Sequence, residues 1–263
     1  MTILVGCDPE YFVAQNGVFK SAYGLIKGDK KNPQRVNRGA VQVDGMALEF
    51  NIDPASSEDE FCININEVMT QLKAMVPDYE HLAVPVATFD EAYMKQQPEE
   101  ALELGCDPDY NGWTGAANPR PDGDRPFRTA SGHVHIGWTE GESIVDYDHI
   151  SRCNIIVKQL DFYLGLPSLI YDNDTKRREM YGKAGACRYK SYGVEYRTLS
   201  NRWLNSDMLK RWVFRATQAG VEAAMAGHLL FEKYGDVQDI INTSDVEKAK
   251  AIIIAENLEV CLG

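Results

Sequence analysis

Four times in this chain, two polar residues spaced two apart sit inside an otherwise apolar stretch. They are Asp8 and Glu10 in CDPEYF, Glu49 and Asn51 in ALEFNI, His133 and His135 in GHVHIG, and Glu195 and Arg197 in VEYRTL. Strand residues two apart point to the same face, so each pair would project both its polar groups together. If the four strands are neighbours, their common face is a bed of carboxylates and imidazoles with an amide and a guanidinium. Such a face is costly to bury unless its charges are paired or meet a cation. Oxygen ligands with an occasional imidazole suit Mg²⁺ or Mn²⁺, and no Cys stands with them to suggest structural zinc. Each pair alone has a plainer reading. Asp8 before Pro9 suits a turn, Glu49 and Asn51 suit the solvated side of a strand, and Glu195 and Arg197 suit cross-strand pairing. His133 and His135 could be satisfied in a core, yet Gly132 and Gly137 on either side would let another group come close. Recurrence of one pattern in four contexts favours a site.

The second chemical feature is local charge. Residues 176–202 hold eight Lys and Arg against Glu179 and Glu195, whereas the whole chain has 27 basic and 39 acidic residues and a net charge of −12. The average surface should repel nucleic acid and acidic membranes. With Gly182, Gly185 and Gly193 interspersed, the basic segment reads as a flexible loop able to wrap phosphate groups. Its plainer reading is a solvated basic patch. No P-loop, Rossmann, zincin or hydrolase-elbow motif occurs.

Stepping outward to the elements, 263 residues of ordinary globular composition suit one large domain or two small ones. Strand-like runs occupy the first fifty residues on either side of a loop, GLIKGDKKNPQRVNRG. Ser57 and Glu60 form a capping-box pattern before Phe61, Ile65, Val68, Leu72 and Met75, which predicts a helix stopped by Pro77. Residues 105–128 read as a long loop and His133 to Trp138 as a strand. A helix should run from about Asp148 to a C-cap at Gly165, with further helices after Ser206 and after Ser244. The order predicts an α+β fold with an antiparallel-rich sheet covered on one face. The six cysteines contain no C-x-x-C pair and read as free thiols, and no apolar run is long enough to span a bilayer. A cytoplasmic protein is expected.

GCDPEYF, GLIKGDK, VQVDGMALEFN, GCDPDYN, RTASGHVHIGW, LGLPS and RREMYGKAGACRYKSYGVEYRTLSN, in this order from about residue 5 to 205, together resemble the phage-type carboxylate-amine ligases of the glutamine synthetase and glutamate-cysteine ligase superfamily. The resemblance implies a glutamine-synthetase-like catalytic fold, a curved antiparallel sheet with helices on its outer face. Residues 1–205 would form the catalytic domain and 206–263 its helical cover. It implies an ATP-dependent ligase joining a carboxylate to an amine through an acyl phosphate, with Mg²⁺ or Mn²⁺. Asp8, Glu10, Glu49, His133 and Glu195 would then hold metal, Asp8 standing where glutamine synthetases carry the first Glu of an E-x-E pair. His135, Arg178, Lys183, Arg188 and Arg197 would hold the nucleotide, with Glu10, Glu49, Glu195 and Arg197 catalytic and Lys27 and Lys30 lining the entrance. Small-molecule or peptide substrates are implied, in the host cytoplasm if the chain is phage-encoded; oligomeric state stays open. A guanidino-kinase-like phosphotransferase and a silent nucleotide- or metal-binding module remain alternatives.

Overall fold

The structure is a computed structural model, described for residues 2–102, 109–119, 125–172 and 174–261. Its strands are β1 (Leu4–Gln15), β2 (Val18–Lys20), β3 (Gln34–Val36), β4 (Gly39–Asp44), β5 (Ala47–Ile52), β6 (Glu80–Leu82), β7 (Val86–Thr88), β8 (Tyr110–Asn111), β9 (Phe127–Thr129), β10 (Gly132–Gly137), β11 (Ala186–Lys190) and β12 (Gly193–Tyr196). The helices are α1 (Glu58–Met75), α2 (Glu91–Lys95), α3 (Glu99–Leu102), α4 (Tyr147–Leu160), α5 (Leu166–Tyr171), α6 (Lys176–Met180), α7 (Asp207–Met225), α8 (Leu230–Tyr234), α9 (Gln238–Asn242) and α10 (Val246–Ala255). Among the described residues, eight strands run in the order β3-β4-β5-β1-β10-β12-β11-β8, with β2 and β6 also paired to β1. Every ladder is antiparallel, and the sheet is open. The fold is α+β.

Alternation gives the sheet two unlike faces. Val5, Cys7, Tyr11, Leu48, Phe50, Val134, Ile136, Cys187, Val194 and Tyr196 point to one side and pack against Phe61, Ile65, Val68 and Leu72 of α1, Cys153, Ile156, Val157 and Leu160 of α4, and Trp212 and Val213 of α7. The intervening residues are the polar ones. A smaller cluster around Phe12, Ala47, Phe89 and Ala130 closes one end of that other side, where Phe12 follows Glu10 and Ala47 precedes Glu49 at strand spacing.

Helix α1 begins as its sequence requires. The Ser57 side chain accepts from the Glu60 amide, while Glu60 reaches back to the amide of Ser56, one residue before the expected partner. Ser206 caps α7 by accepting from the Leu209 amide. Three expectations are corrected. Gly165 is no C-cap: α4 runs through a π-helical turn, Asp161–Gly165, into α5, because the buried Asp161 carboxylate accepts from Trp113 Nε1 (2.7 Å) and Tyr196 Oη (2.7 Å) and widens the turn. The cap of α10 is Asp245, which accepts from the Lys248 amide, while Ser244 turns through φ 54° and accepts from Arg178 instead. The loop expected between residues 24 and 39 contains strand β3. The predicted loop over 105–128 lies partly outside the described residues, as does Cys106; the other five cysteines are free and buried.

Candidate active site on the uncovered sheet face

The strands carrying the four pairs are consecutive, in the order β5-β1-β10-β12. Register aligns them residue by residue: Glu49 faces Glu10, Asp8 faces His133, and His135 faces Glu195, which in turn faces Arg188 on β11. The basic segment is therefore not a flexible loop. Its first turn is α6, and its middle is the β11–β12 hairpin, turned at Ser191 and Tyr192 and locked into the sheet. At Gly193 (φ +149°) a Cβ would lie 2.1 Å from the Ile136 carbonyl oxygen, so only glycine lets the hairpin meet β10 so closely. Gly132 plays the part expected of it, since a Cβ there would lie 2.3 Å from Trp203 Nε1 and 2.4 Å from Ser200 O. Gly137 does not, because the nearest atom would be 3.7 Å away.

One end of the face is a carboxylate–imidazole cluster. Asp8 Oδ1 lies 3.2 Å from His133 Nδ1 and 3.0 Å from His135 Nε2, and Glu195 Oε1 lies 3.4 Å from His133 Nδ1. Asp8, His135 and Glu195 each offer a ligand atom, all within 4.8 Å of one another. His135 Nδ1 bonds to the Tyr192 hydroxyl, leaving Nε2 to face Asp8. Burial opposes ionisation of Asp8, but His135 and His133 outweigh it and hold that carboxyl well below the usual carboxylate range. The His133 imidazole is pushed down to about 3 by burial and by the Arg197 guanidinium, so it is neutral, and its Nε2 is buried without a hydrogen bond. His135 is moved up despite burial, by Asp8.

Three cations close on Glu195, which is fully buried. Lys190 Nζ is 3.0 Å and Arg188 Nη1 3.7 Å from its Oε2, and Arg197 Nη1 bonds to its Oε1. Burial and Asp8 nevertheless push the Glu195 carboxyl up. Arg197 also faces Asp109, at 3.6 Å from Nε, and lies over the Tyr181 ring, 5.2 Å from its centroid. Beyond it opens a cleft of about 230 Å³ lined by Asp109, Arg125, Glu179, Tyr181 and the exposed Lys183.

The other end is acidic. Burial, Asp44 and, less strongly, Asp8 push Glu10 up to about 8, against the Ser131 amide, which donates to Glu10 Oε2 at 2.6 Å. Glu49 accepts from Gln42 Nε2 at 2.7 Å and is likewise moved well up by burial, Asp44, Asp8 and Glu10. Lys30 Nζ meets Asp44 at 2.6 Å, which gives that entrance lysine a fixed place.

These residues suit a divalent cation. The donors at Asp8, His135 and Glu195 are oxygen-rich with one imidazole, Asp8 Oδ1 and Glu195 Oε2 are buried without hydrogen bonds of good geometry, and the raised carboxyls mark negative charge short of compensation. Relative to the sequence reading, His135 joins the metal-sized set, while Glu10 and Glu49 form a separate acidic pair. Arg178 is not brought to this face. Its buried guanidinium donates to Asp174 O (3.0 Å) and Ser244 Oγ (3.1 Å).

Several residues at the face escaped the sequence reading. Gln42 and Asp44 in VQVDG, and Lys190 two residues after the expected Arg188 in CRYK, repeat the same spacing of two, which was a readable signal. Ser131 acts through its backbone, and Tyr181, Tyr192 and Asp109 arrive from loops, none of which spacing reveals. Arg177 is buried and donates to the carbonyls of Thr198 (2.8 Å) and Leu199 (2.9 Å) and to Ser131 Oγ (3.0 Å), tying the segment after β12 to the strand start at β10.

The fold and site define a class: an α+β protein with an open antiparallel sheet, one face buried under helices and the other holding a cation-sized carboxylate–imidazole cluster beside a cationic rim. Within that class, residues 126–238 match the family described as Phage phiEco32-like COOH.NH2 ligase-type 2, in line with the phage-type carboxylate-amine ligases that the chain resembles. The matched stretch contains His133, His135, Arg188, Glu195 and Arg197; Asp8, Glu10 and Glu49 precede it. Comparison with curated proteins gives no match. Among the described residues no helix is long and apolar enough to cross a membrane.

Proposed function

We propose that the chain is an ATP-dependent ligase that joins a carboxylate to an amine, with Mg²⁺ or Mn²⁺ held by Asp8, His135 and Glu195 and by the acidic pair Glu10 and Glu49. The observation that carries this is the convergence of Asp8, His135 and Glu195 within 4.8 Å, directly beside Arg188, Lys190 and Arg197. Carboxylates for a cation and side-by-side cations for phosphate oxygens are what nucleotide-dependent phosphoryl transfer requires. When bound, the metal would neutralise triphosphate charge. Arg188, Lys190 and Arg197, gathered around Glu195, would hold phosphate oxygens and stabilise the transferring group.

In this reading the γ-phosphoryl group passes to a substrate carboxylate oxygen, giving ADP and an acyl phosphate. The amine nitrogen then attacks the acyl carbon, the C–N bond forms, the C–O bond to phosphate breaks, and inorganic phosphate leaves. The attacking amine must lose a proton, which would pass to a carboxylate of the cleft beyond Arg197, Asp109 or Glu179, or to water. Lys183, Glu179 and Asp109 at the cleft beyond Arg197 offer both charge signs to an incoming substrate. Residues 206–263 serve as helical cover of the same unit. Five free, buried cysteines among the described residues accord with work in the cytoplasm.

The test is phosphate release from ATP and Mg²⁺ with pooled carboxylates and amines. Release should require both co-substrates and should fall at least about 100-fold in Glu195→Gln. ADP formation with a phosphorylated product and no free phosphate would instead mark a guanidino-type phosphotransferase, and unchanged turnover in Glu195→Gln would overturn the site.

A further inference from the structure

Behind the sheet, on the helix-covered side, lies a cavity of about 370 Å³ between α1, β6, the 3-10 turn Asn201–Asn205 and α7. Its size is in the range of small-molecule sites, roughly 300–1,000 Å³. No carboxylate lines it; its charged groups are Lys210 and Lys73. Lys210 is 5% exposed, and its ammonium group gives two of its three hydrogens to Asn66 Oδ1 (2.6 Å) and Asp207 Oδ1 (3.0 Å).

Tyr11 and His81 also line the cavity, their rings edge to face. Tyr11 is 2% exposed, yet its hydroxyl has no hydrogen-bond partner. A buried hydroxyl left without a partner is costly, so its presence in a wall of a cavity points to a ligand atom or water as its partner. His81 Nε2 must donate to the Val76 carbonyl (3.1 Å), and burial and Lys73 keep the ring neutral, so Nδ1 is a bare acceptor; it too is buried and unpartnered.

We infer that this cavity binds a small carboxylate that also carries a hydroxyl or ammonium donor: the carboxylate meets Lys210 and Lys73, and the donor reaches His81 Nδ1 with Tyr11 Oη beside it. Hydroxy acids and amino acids share this chemistry. Met69, Ala83 and Leu204 add apolar lining, which suits the ligand's carbon frame. The site is separate from the uncovered face, because Tyr11 and Glu10 are successive residues of β1 and point to opposite sides of the sheet.

Calorimetric titration of the full chain with L-malate, L-glutamate, acetate and inorganic phosphate tests this. L-malate or L-glutamate should bind saturably, at least ten-fold more tightly than acetate or phosphate. Which of the two prevails separates the hydroxyl from the ammonium source. Tyr11→Phe, which removes only the unpartnered hydroxyl and should fold at least as stably as the parent, should weaken binding about ten-fold, and Lys210→Met should weaken it further. Glu195→Gln should leave it unchanged. Absence of saturable binding, equal binding of phosphate, or binding lost in Glu195→Gln but kept in Tyr11→Phe would overturn the assignment.

Discussion

Glu10 combines a raised carboxyl, a single amide donor and an acidic neighbourhood, and this makes a prediction about pH. Between about pH 6.5 and 8 the folded chain keeps a proton on Glu10 that the unfolded chain has already released. Stability therefore falls as pH rises through this window. Glu49, Glu195 and His135 are also raised and act in the same direction. His133, lowered to about 3, has the opposite sign, but only below about pH 6.5, where the unfolded imidazole takes up its proton. Urea unfolding in metal-free buffer should show decreasing stability from pH 6.5 to 8. Glu10→Gln should reduce that slope and be more stable than the parent at pH 8 by about 1 kcal/mol or more, since Gln still accepts from Ser131 without a buried charge. A slope unchanged by the substitution would show that Glu10 is ionised throughout.

At the scale of elements, the two glycines bracketing the His133–His135 strand make a controlled pair. Gly132→Ala would drive a Cβ into Trp203 and the Ser200 carbonyl and should cost about 2–4 kcal/mol in chemical denaturation, whereas Gly137→Ala meets only ordinary contacts and should stay within about 1 kcal/mol. Equal costs for the two would mean that the 3-10 turn can move away from β10. Much of the site was legible at this scale, because strand alternation makes a spacing of two meaningful without knowing the fold. The polar pairs and the caps at Ser57 and Ser206 rest on such local rules. What was not legible is non-local: register, which set Asp8 against His133 and divided Glu10 and Glu49 from the metal-sized cluster, and tertiary hydrogen bonds, which drew Arg178 away to Ser244. The π turn escaped for the same reason, since Asp161 takes its partners from Trp113 and Tyr196, 48 and 35 residues distant.

For the whole molecule, the net charge of −12 conceals a polarised face, cationic toward β11 and β12 and acidic toward β4 and β5. A divalent cation should therefore stabilise the whole fold. At a Mn²⁺ concentration 100 times its Kd, linkage gives about 2.7 kcal/mol. For a chain of this size that is a rise in Tm of about 5–10 °C. Scanning calorimetry should show the rise with Mn²⁺, its reversal by a chelator, and its loss in Asp8→Asn. A rise of equal size in Asp8→Asn would place the cation elsewhere.

Strand β1 pairs with β2, β5, β6 and β10, so one twelve-residue segment joins four others. The partner that completes the His and Asp cluster, β10, brings His133 only 125 residues after Asp8 (133 − 8), which at about 5–20 residues per second is roughly six seconds or more of synthesis. Through that interval β1 can hold its hairpin with β2 and its pairs with β5 and β6, but the edge that will carry Asp8 against His133 stays open. Assembly thus has a built-in order: the acidic half of the face closes during elongation, and the cationic half, from β10 to β12, docks onto it as a later and slower step of high contact order. The hazard of the nascent chain is pairing of that waiting edge with another copy until β10 covers it.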